Sequence, residues 1–234
     1  MWILGIDTST CIGSIALLNI DNSKREKIVS EFTLDVDTTH SFRLLPAVDI
    51  MLKFSEITVK NLDGIVVCIG PGSFTGIRIG ISTANGLSNA LNIPVAGVSS
   101  LEALAHNLFG VKGYICPIIN ARATEIYTSI YKSEIKEIHE IDCPRTIKTE
   151  DLSDYIDQKC KGNSKIFFIG DGASVYYKII MKQLNKRAVF VPFYISSAKA
   201  GILASIGSRR ITSEKYIFEK NIITPLYCRN PKFI

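Results

Sequence analysis

"GPGSFTGIRIG" (Gly70–Gly80) sets the organisation of the chain. An apolar run, Ile65-Val66-Val67-Cys68, leads into it, and a helix-like stretch, Ile77–Leu91, leads out. Glycines at a strand-to-helix turn can bring backbone amides close to an anion, so the first question is whether this loop holds a phosphate. It has the context of a phosphate loop but lacks the Lys-Ser/Thr ending of a Walker A motif. It does define a strand–turn–helix unit, and the elements on either side fall into order around it.

Upstream, Trp2–Asp7, Ile12–Ile20 and Lys27–Leu34 read as strands, with a polar turn, Asp21–Lys24, before the third. A helix is expected over Ser41–Phe54, where Leu44, Leu45, Val48, Met51 and Leu52 share one face and Ser41 is a candidate N-cap. Then come a strand at Gly64–Ile69, a helix at Thr75–Leu91 and a short strand at Pro94–Val98. The order is βββαβα. After a helix at Ser100–Leu108 it recurs: strands at Tyr114–Asn120, Glu125–Tyr131 and Ile135–Ile141, a helix at Asp151–Cys160, a strand at Lys165–Gly170 and a helix at Ala173–Leu184. A last helix is expected at Ser197–Arg210. The residues do not repeat; the element order does. Two copies imply two related α/β lobes, expected at 1–98 and 99–234, with the final segment a candidate to pack back on the first. This layout resembles the two-lobed actin/Hsp70/sugar-kinase superfold (ASKHA, RNase H-like).

Bulk properties fit a folded α/β protein. The chain has 234 residues, 47% hydrophobic and 21% charged, enough for a sizeable core. No apolar run approaches the roughly 18–20 residues that span a bilayer. The start, MWILGID, lacks a basic segment followed by an apolar one, so no signal peptide is expected and the cytoplasm is the expected location. Cys11, Cys68, Cys116, Cys143, Cys160 and Cys228 form no CxxC pair and are expected to be buried free thiols. Charge is uneven: residues 1–100 hold 7 Lys/Arg and 9 Asp/Glu, residues 101–234 hold 20 and 13. The basic half can dock an anionic partner or RNA; the plainer reading, adopted here, is solvated lysines that keep the protein soluble.

Several positions are candidates for chemistry. Asp7-Thr8-Ser9-Thr10 sits at the turn between the first two strands, where the actin-like superfold approaches nucleotide phosphates. The competing reading is that Asp7 and Thr8 only cap a tight hairpin. Gly170-Asp171-Gly172 is the equivalent strand-to-helix turn in the second half. Together Asp7, Thr8, Ser9, Gly170, Asp171 and Gly172 form a candidate weak ATP/ADP site. In the helix after the glycine loop, Gly76, Gly80, Ala84 and Ser88 recur every four residues. Glycine costs about 1 kcal/mol relative to Ala in a helix, so another backbone should come close there, from the chain's own sheet or from a partner. Arg78 in the first turn opposes the helix dipole and suggests an acidic contact. Phe42, Pro46 and Ile50 lie opposite the main stripe of the first helix, which implies a second covering surface. His40, His106 and His139 form neither HxxxH nor HExxH.

Four stretches together carry a family resemblance: DTST (Asp7–Thr10), HSFRLLP (His40–Pro46), GPGSFTGIRIG (Gly70–Gly80) and PLYCR (Pro225–Arg229). They resemble the TsaB family, also called YeaZ and earlier labelled M22 glycoprotease-like. Its members are subunits of the bacterial machinery that makes threonylcarbamoyladenosine in tRNA. The resemblance implies a non-catalytic scaffold that docks on the catalytic paralogue TsaD. With a TsaE-like ATPase, it supports transfer of threonylcarbamoyl from its adenylate to the tRNA adenosine beside the anticodon. It implies an interface built on His40, Phe42, Leu45, Pro46, Ile50, Phe74, Gly76, Arg78, Gly80 and Ala84, a self-dimer when the subunit is alone, tRNA met through the complex, no metal and no required cofactor. Where relatives often carry Asp-Ala-Arg, this chain has Asn120-Ala121-Arg122, one carboxylate fewer. The rival readings are an independent ATPase or kinase of the same superfold and, last, a peptidase.

Overall fold

Alternating and continuous apolar runs build two five-stranded sheets. The computed structural model describes residues 1–35, 42–213 and 222–228. In the first sheet β1 (Trp2–Asp7) pairs antiparallel with β2 (Ile12–Ile20) and parallel with β4 (Gly64–Gly70). β3 (Glu26–Asp35) and β5 (Val95–Ser99) complete the order β3-β2-β1-β4-β5. β1 and β4 are buried on both faces, which is why they read as near-continuous apolar runs. Leu4, Ile6, Ile15, Leu17, Ile65 and Val67 pack against α1 (Leu44–Phe54) and α2 (Phe74–Leu91). The other face carries α7 (Ala200–Ile211), whose Ala200 amide donates to Ser14 Oγ at 3.0 Å. A Cβ on Gly5 would meet the Ala200 carbonyl at under 3.0 Å, so α7 rests directly on the sheet. This unit comprises Met1–Ser100 and Lys199–Leu226. Its last stretch is tied down by Leu226 N donating to Ile69 O at 2.8 Å and by Asn85, which exchanges two hydrogen bonds with the Ile223 backbone.

The second unit is Leu101–Ala198, with the chain returning at Tyr227. It begins in α3 (Ser100–His106). Its sheet takes β6 (Gly113–Asn120), β7 (Glu125–Glu134), β8 (Glu137–Lys148), β9 (Ile166–Ile169) and β10 (Ala188–Phe190) in the order β10-β9-β6-β7-β8. β6 pairs antiparallel with β7 and parallel with β9, so β6 to β10 repeat the connections of β1 to β5. α4 (Leu152–Lys159), α5 (Asp171–Val175) and α6 (Tyr177–Leu184) cover Cys116, Ile118, Ile126, Ile130, Ile166 and Phe168. The chain is thus an α/β protein with the same five-stranded topology built twice, each sheet within its own unit.

Several features differ from expectation, among them β10, a short strand that the apolar pattern does not mark. β8 spans Glu137–Lys148 rather than Ile135–Ile141. Glu134 and Glu137 face each other across the ladder, so Ile135 and Lys136 form the hairpin turn. The strand then continues because β7 offers it a partner, not because its own pattern is strong. The helix expected over Ala173–Leu184 breaks at Tyr176 (φ −100°, ψ 16°). Its buried ring is anchored by the hydroxyl donating to Ala123 O at 2.7 Å and Asn120 Oδ1 at 3.1 Å, so a tertiary tie fixes the bend. The six cysteines are all free, but only Cys68, Cys116 and Cys160 are buried; Cys11 and Cys143 are exposed. The exposed pair lies in a turn and on an edge strand, where a short apolar run does not imply burial. Among the described residues, no helix is long and apolar enough to cross a membrane.

Candidate functional site

The glycine turn is filled by the chain itself. Ser73 N donates to Ser9 O at 2.6 Å, and Ser73 Oγ caps α2 by accepting from Gly76 N at 3.3 Å. Thr8 Oγ1 donates to Gly76 O at 2.7 Å. A Cβ on Gly72 would meet Ser9 O, one on Gly76 would meet Thr8 O, and one on Gly80 would meet Thr8 Oγ1, each at under 3.0 Å. The approaching backbone demanded by the small-residue strip is therefore the β1–β2 turn. Gly76, Gly80 and Ala84, expected at a partner interface, are buried within their own unit. A four-residue repeat of small side chains reveals a face that something approaches closely, but not what approaches it.

Asp7, Thr8 and Ser9 are almost fully buried. Asp7 Oδ1 accepts from Ser9 N at 2.9 Å, an Asx-type closure of the turn. Next to them, burial pushes the Cys68 thiol well above its ordinary value, and the Asp7 charge adds to the rise. Such a thiol is a packing group rather than a nucleophile.

In the second unit Gly170 (φ 104°) turns β9 into α5, and its Cβ position is occupied by the Ile118 carbonyl. Asp171 Oδ1 accepts from Asn120 N at 3.3 Å. Desolvation raises the Asp171 carboxyl above its usual range, opposed by the amides of Asn120, Gly172 and Asp171 itself. Gly172 lies against Ile118 and the Asn120 amide. Gly170, Asp171 and Gly172 thus meet the end of β6 much as the first glycine loop meets the end of β1.

The exposed chemistry lies on the outer sides of α1 and α2. Phe42 is 84% exposed, Phe54 81% and Phe74 54%. Leu45, Pro46 and Ile50 are exposed between them, while Leu44, Val48, Met51 and Leu52 face the sheet. Phe54, the last residue of α1, joins this exposed set although the spacing of the apolar residues does not mark it. His40 lies outside the described residues. Arg78 stacks its guanidinium on the Phe74 ring, 3.7 Å from the centroid. The cation expected to seek an acid in the first turn thus has an aromatic neighbour one turn away. Phe74, Thr75, Arg78, Ile79, Ser82 and Thr83 line a shallow groove along α2. Lys53 and Asp49 form an exposed pair at 2.7 Å amid the apolar residues of α1.

Comparison with known proteins agrees with this architecture. The family model described as TsaD, tRNA N6-adenosine threonylcarbamoyltransferase, matches residues 28–233. The tRNA threonylcarbamoyladenosine biosynthesis protein TsaB of Bacillus subtilis is 31% identical over 90% of this chain and 88% of its own length. The protein of the same name from Haemophilus influenzae is 28% identical over 97% of this chain and 93% of its own. The structure of YeaZ from Pseudomonas aeruginosa superposes with a TM-score of 0.78 at 25% identity, covering 97% of this chain and 99% of that one. With two sheets of one topology, a glycine turn closed on the first hairpin and relatives that match along nearly its whole length, the chain belongs to the TsaB (YeaZ) family.

Proposed function

We propose that this chain is a non-catalytic docking subunit of the machinery that makes threonylcarbamoyladenosine in tRNA. Its partner is a TsaD-like paralogue, which carries the transfer of threonylcarbamoyl to the adenosine, with a TsaE-like ATPase as a further member. The observation that carries the reading is the apolar outer face of α1 and α2. Phe54, Phe74, Leu45, Pro46 and Ile50 are exposed on two helices that cover one side of one sheet, and Phe42 is exposed just before the first of them. Exposed aromatic and aliphatic anchors in one patch mark an interaction surface. The same face would serve a self-dimer when the subunit is alone.

The turn chemistry supports a non-catalytic role. The space that a phosphate loop reserves for an anion is taken up by Thr8 and Ser9 backbone. No cofactor is required in this reading, and ATP or ADP binds weakly. tRNA is reached through the complex, in the cytoplasm.

The test is co-purification with the TsaD-like paralogue from the same cell, using Ile50→Asp and Phe74→Asp. Both side chains are exposed, so melting should stay within about 0.5 kcal/mol of the parent. Partner affinity should fall about 30-fold or more, the mark of a residue worth about 2 kcal/mol at an interface. Retained binding by both variants refutes the docking face. The rival ATPase reading wins if the pure chain hydrolyses ATP and loses the activity on Asp7→Ala, or if calorimetry gives a sub-micromolar nucleotide Kd.

A further inference from the structure

The second unit is electrically two-sided along its chain. Residues 125–157 carry four Lys/Arg against nine Asp/Glu; residues 159–198 carry seven against one, Asp171. Two of those seven cations are paired with the acidic side, Lys159 with Asp142 at 2.8 Å and Arg187 with Asp157 at 2.5 Å. Three of the others follow one another closely. Lys178 and Lys182 lie one turn apart on α6 and Lys186 in the turn after it, all exposed, and none forms an ion pair among the described residues.

Helix electrostatics do not explain these lysines. Like charges four apart destabilise a helix by about 0.2–0.5 kcal/mol per pair. Lys182 lies in the last turn and Lys186 just beyond it, where the dipole favours cations. Lys178 lies in the first turn, where the dipole opposes it, and that turn holds no acid. Beside Lys178, Tyr177 is 48% exposed, yet its ring is fixed: it rests on Phe190 with centroids 4.6 Å apart, and Phe190 stacks on the buried Phe168 at 5.6 Å. A few residues past Phe190 the chain exposes Tyr194 at 77%.

An immobilised, half-exposed ring beside a row of unpaired ammonium groups is the composition that grips nucleic acid, with cations for phosphates and the ring for a base or ribose. We infer that α6 and the turn after it form an RNA-contact face, with Lys178, Lys182 and Lys186 on the phosphate backbone of tRNA and Tyr177 stacking against it. The inference rests on the reading of this chain as part of a tRNA-modifying machinery and gives this subunit its own contact with the substrate.

The experiment titrates the full chain with an unmodified tRNA transcript at several salt concentrations. Parent affinity should fall as salt rises. The triple variant Lys178→Gln/Lys182→Gln/Lys186→Gln should flatten the log–log salt slope by about 2–3, roughly one unit per lost phosphate contact, and weaken binding at least tenfold at low salt. A control with the same charge loss on the first unit, Lys24→Gln/Lys27→Gln/Lys60→Gln, should keep the parent slope. Tyr177→Ala should weaken binding with the slope unchanged, and Tyr177→Phe should restore it. Melting curves confirm that each variant is folded. The inference is overturned if the parent does not bind the transcript, if both triple variants lose affinity equally, or if the second-unit variant loses binding to polyglutamate but not to the transcript, which would mark an acidic protein as the occupant. Reconstituted adenosine modification separates the two readings. Full modification with unchanged transcript binding by the second-unit variant sinks the RNA face alone. Transcript binding through these lysines by a chain that supports no modification sinks the proposed function alone.

Discussion

In the first unit, the corner where the glycine turn meets the sheet is packed backbone against backbone: Thr8 and Ser9 carbonyls stand where residues 76 and 72 would carry side chains. In the second, the Ile118 carbonyl stands where residue 170 would carry a side chain, but Gly172 meets chiefly the Ile118 side chain, with backbone farther off. The helices that follow differ accordingly. α2 runs unbroken for 18 residues to Asn92, which ends it in a left-handed conformation that Asn tolerates. The second unit delivers five residues, a bend at Tyr176 and eight more. The outer strands differ as well. β3 is fastened to α7 by Glu31, which accepts from Gly201 N at 2.7 Å, whereas β8 is fastened to α4 by the Asp142 cluster of Lys159, Arg145 and Tyr155. One strand order therefore tolerates two outer-strand fastenings, a carboxylate on a backbone amide of α7 in one unit and a carboxylate among two cations and a tyrosine in the other.

The largest effect should come from closing the first corner. Gly76→Ala sets a Cβ against a backbone oxygen that cannot rotate away, and overpacking of this kind costs about 1–3 kcal/mol or more. At the upper figure, melting by calorimetry should fall roughly 6–12 °C. Gly172→Ala should cost less, because Ile118 can shift its side chain. A Gly172→Ala variant that melts lower than Gly76→Ala breaks the contrast between the corners.

Next comes the polar tie of β8. Burial alone would raise the Asp142 carboxyl, but the hydrogen bonds from Lys159 and Tyr155 and the charge of Arg145 outweigh it and hold the group below its ordinary value. A carboxyl depressed in the folded state contributes stability that is present above its unfolded pKa of about 3.9 and lost as pH falls through the folded value. Asp142→Asn should therefore cost about 1–2 kcal/mol at pH 7, a figure kept modest because Arg145 and Lys159 are partly exposed. The gap from the parent should close below about pH 4. A gap that persists unchanged at pH 3 would mean that packing, not charge, fastens this strand.

Smaller still is the single bond across the first corner. Thr8→Val keeps the shape but removes the donor to Gly76 O, at a cost of about 1 kcal/mol, and Thr8→Ser should recover most of it. If Thr8→Val melts with the parent, the glycine strip rather than the hydroxyl holds the corner. The smallest change has the opposite sign. A Cβ on Gly86, in the same helix but exposed, would meet nothing within 4 Å. Gly86→Ala should stabilise by about 0.5–1 kcal/mol through helix propensity, read as a modest rise in melting temperature. A loss there would show that α2 needs its glycines for more than the Thr8 contact.

Much of the frame was legible along the chain. Period-2 and continuous apolar runs located β1, β2, β4 and β6, and the apolar stripe located α1, because burial on a regular backbone imposes its own period on the residues; Leu44, Val48, Met51 and Leu52 of that stripe are buried, but Leu45, expected with them, is exposed. The recurrence of element order gave the two α/β units. The exposed face of α1 was legible too, since Pro46 and Ile50, with Phe42 just before the helix, fall opposite that stripe and are exposed.

What only the tertiary structure decided concerns pairs of groups distant in the chain. The length of β8 depends on β7, the bend at Tyr176 depends on acceptors at residues 120 and 123, and α7 belongs to the first sheet because Gly5 leaves room for it. The glycine strip carried the same ambiguity. The sequence by itself determined that Gly76 and Gly80 had to admit a close neighbour, because glycine in a helix is otherwise a loss. Only the folded chain identified that neighbour as Thr8, since 68 residues separate it from Gly76 and no local pattern records which surface closes on which.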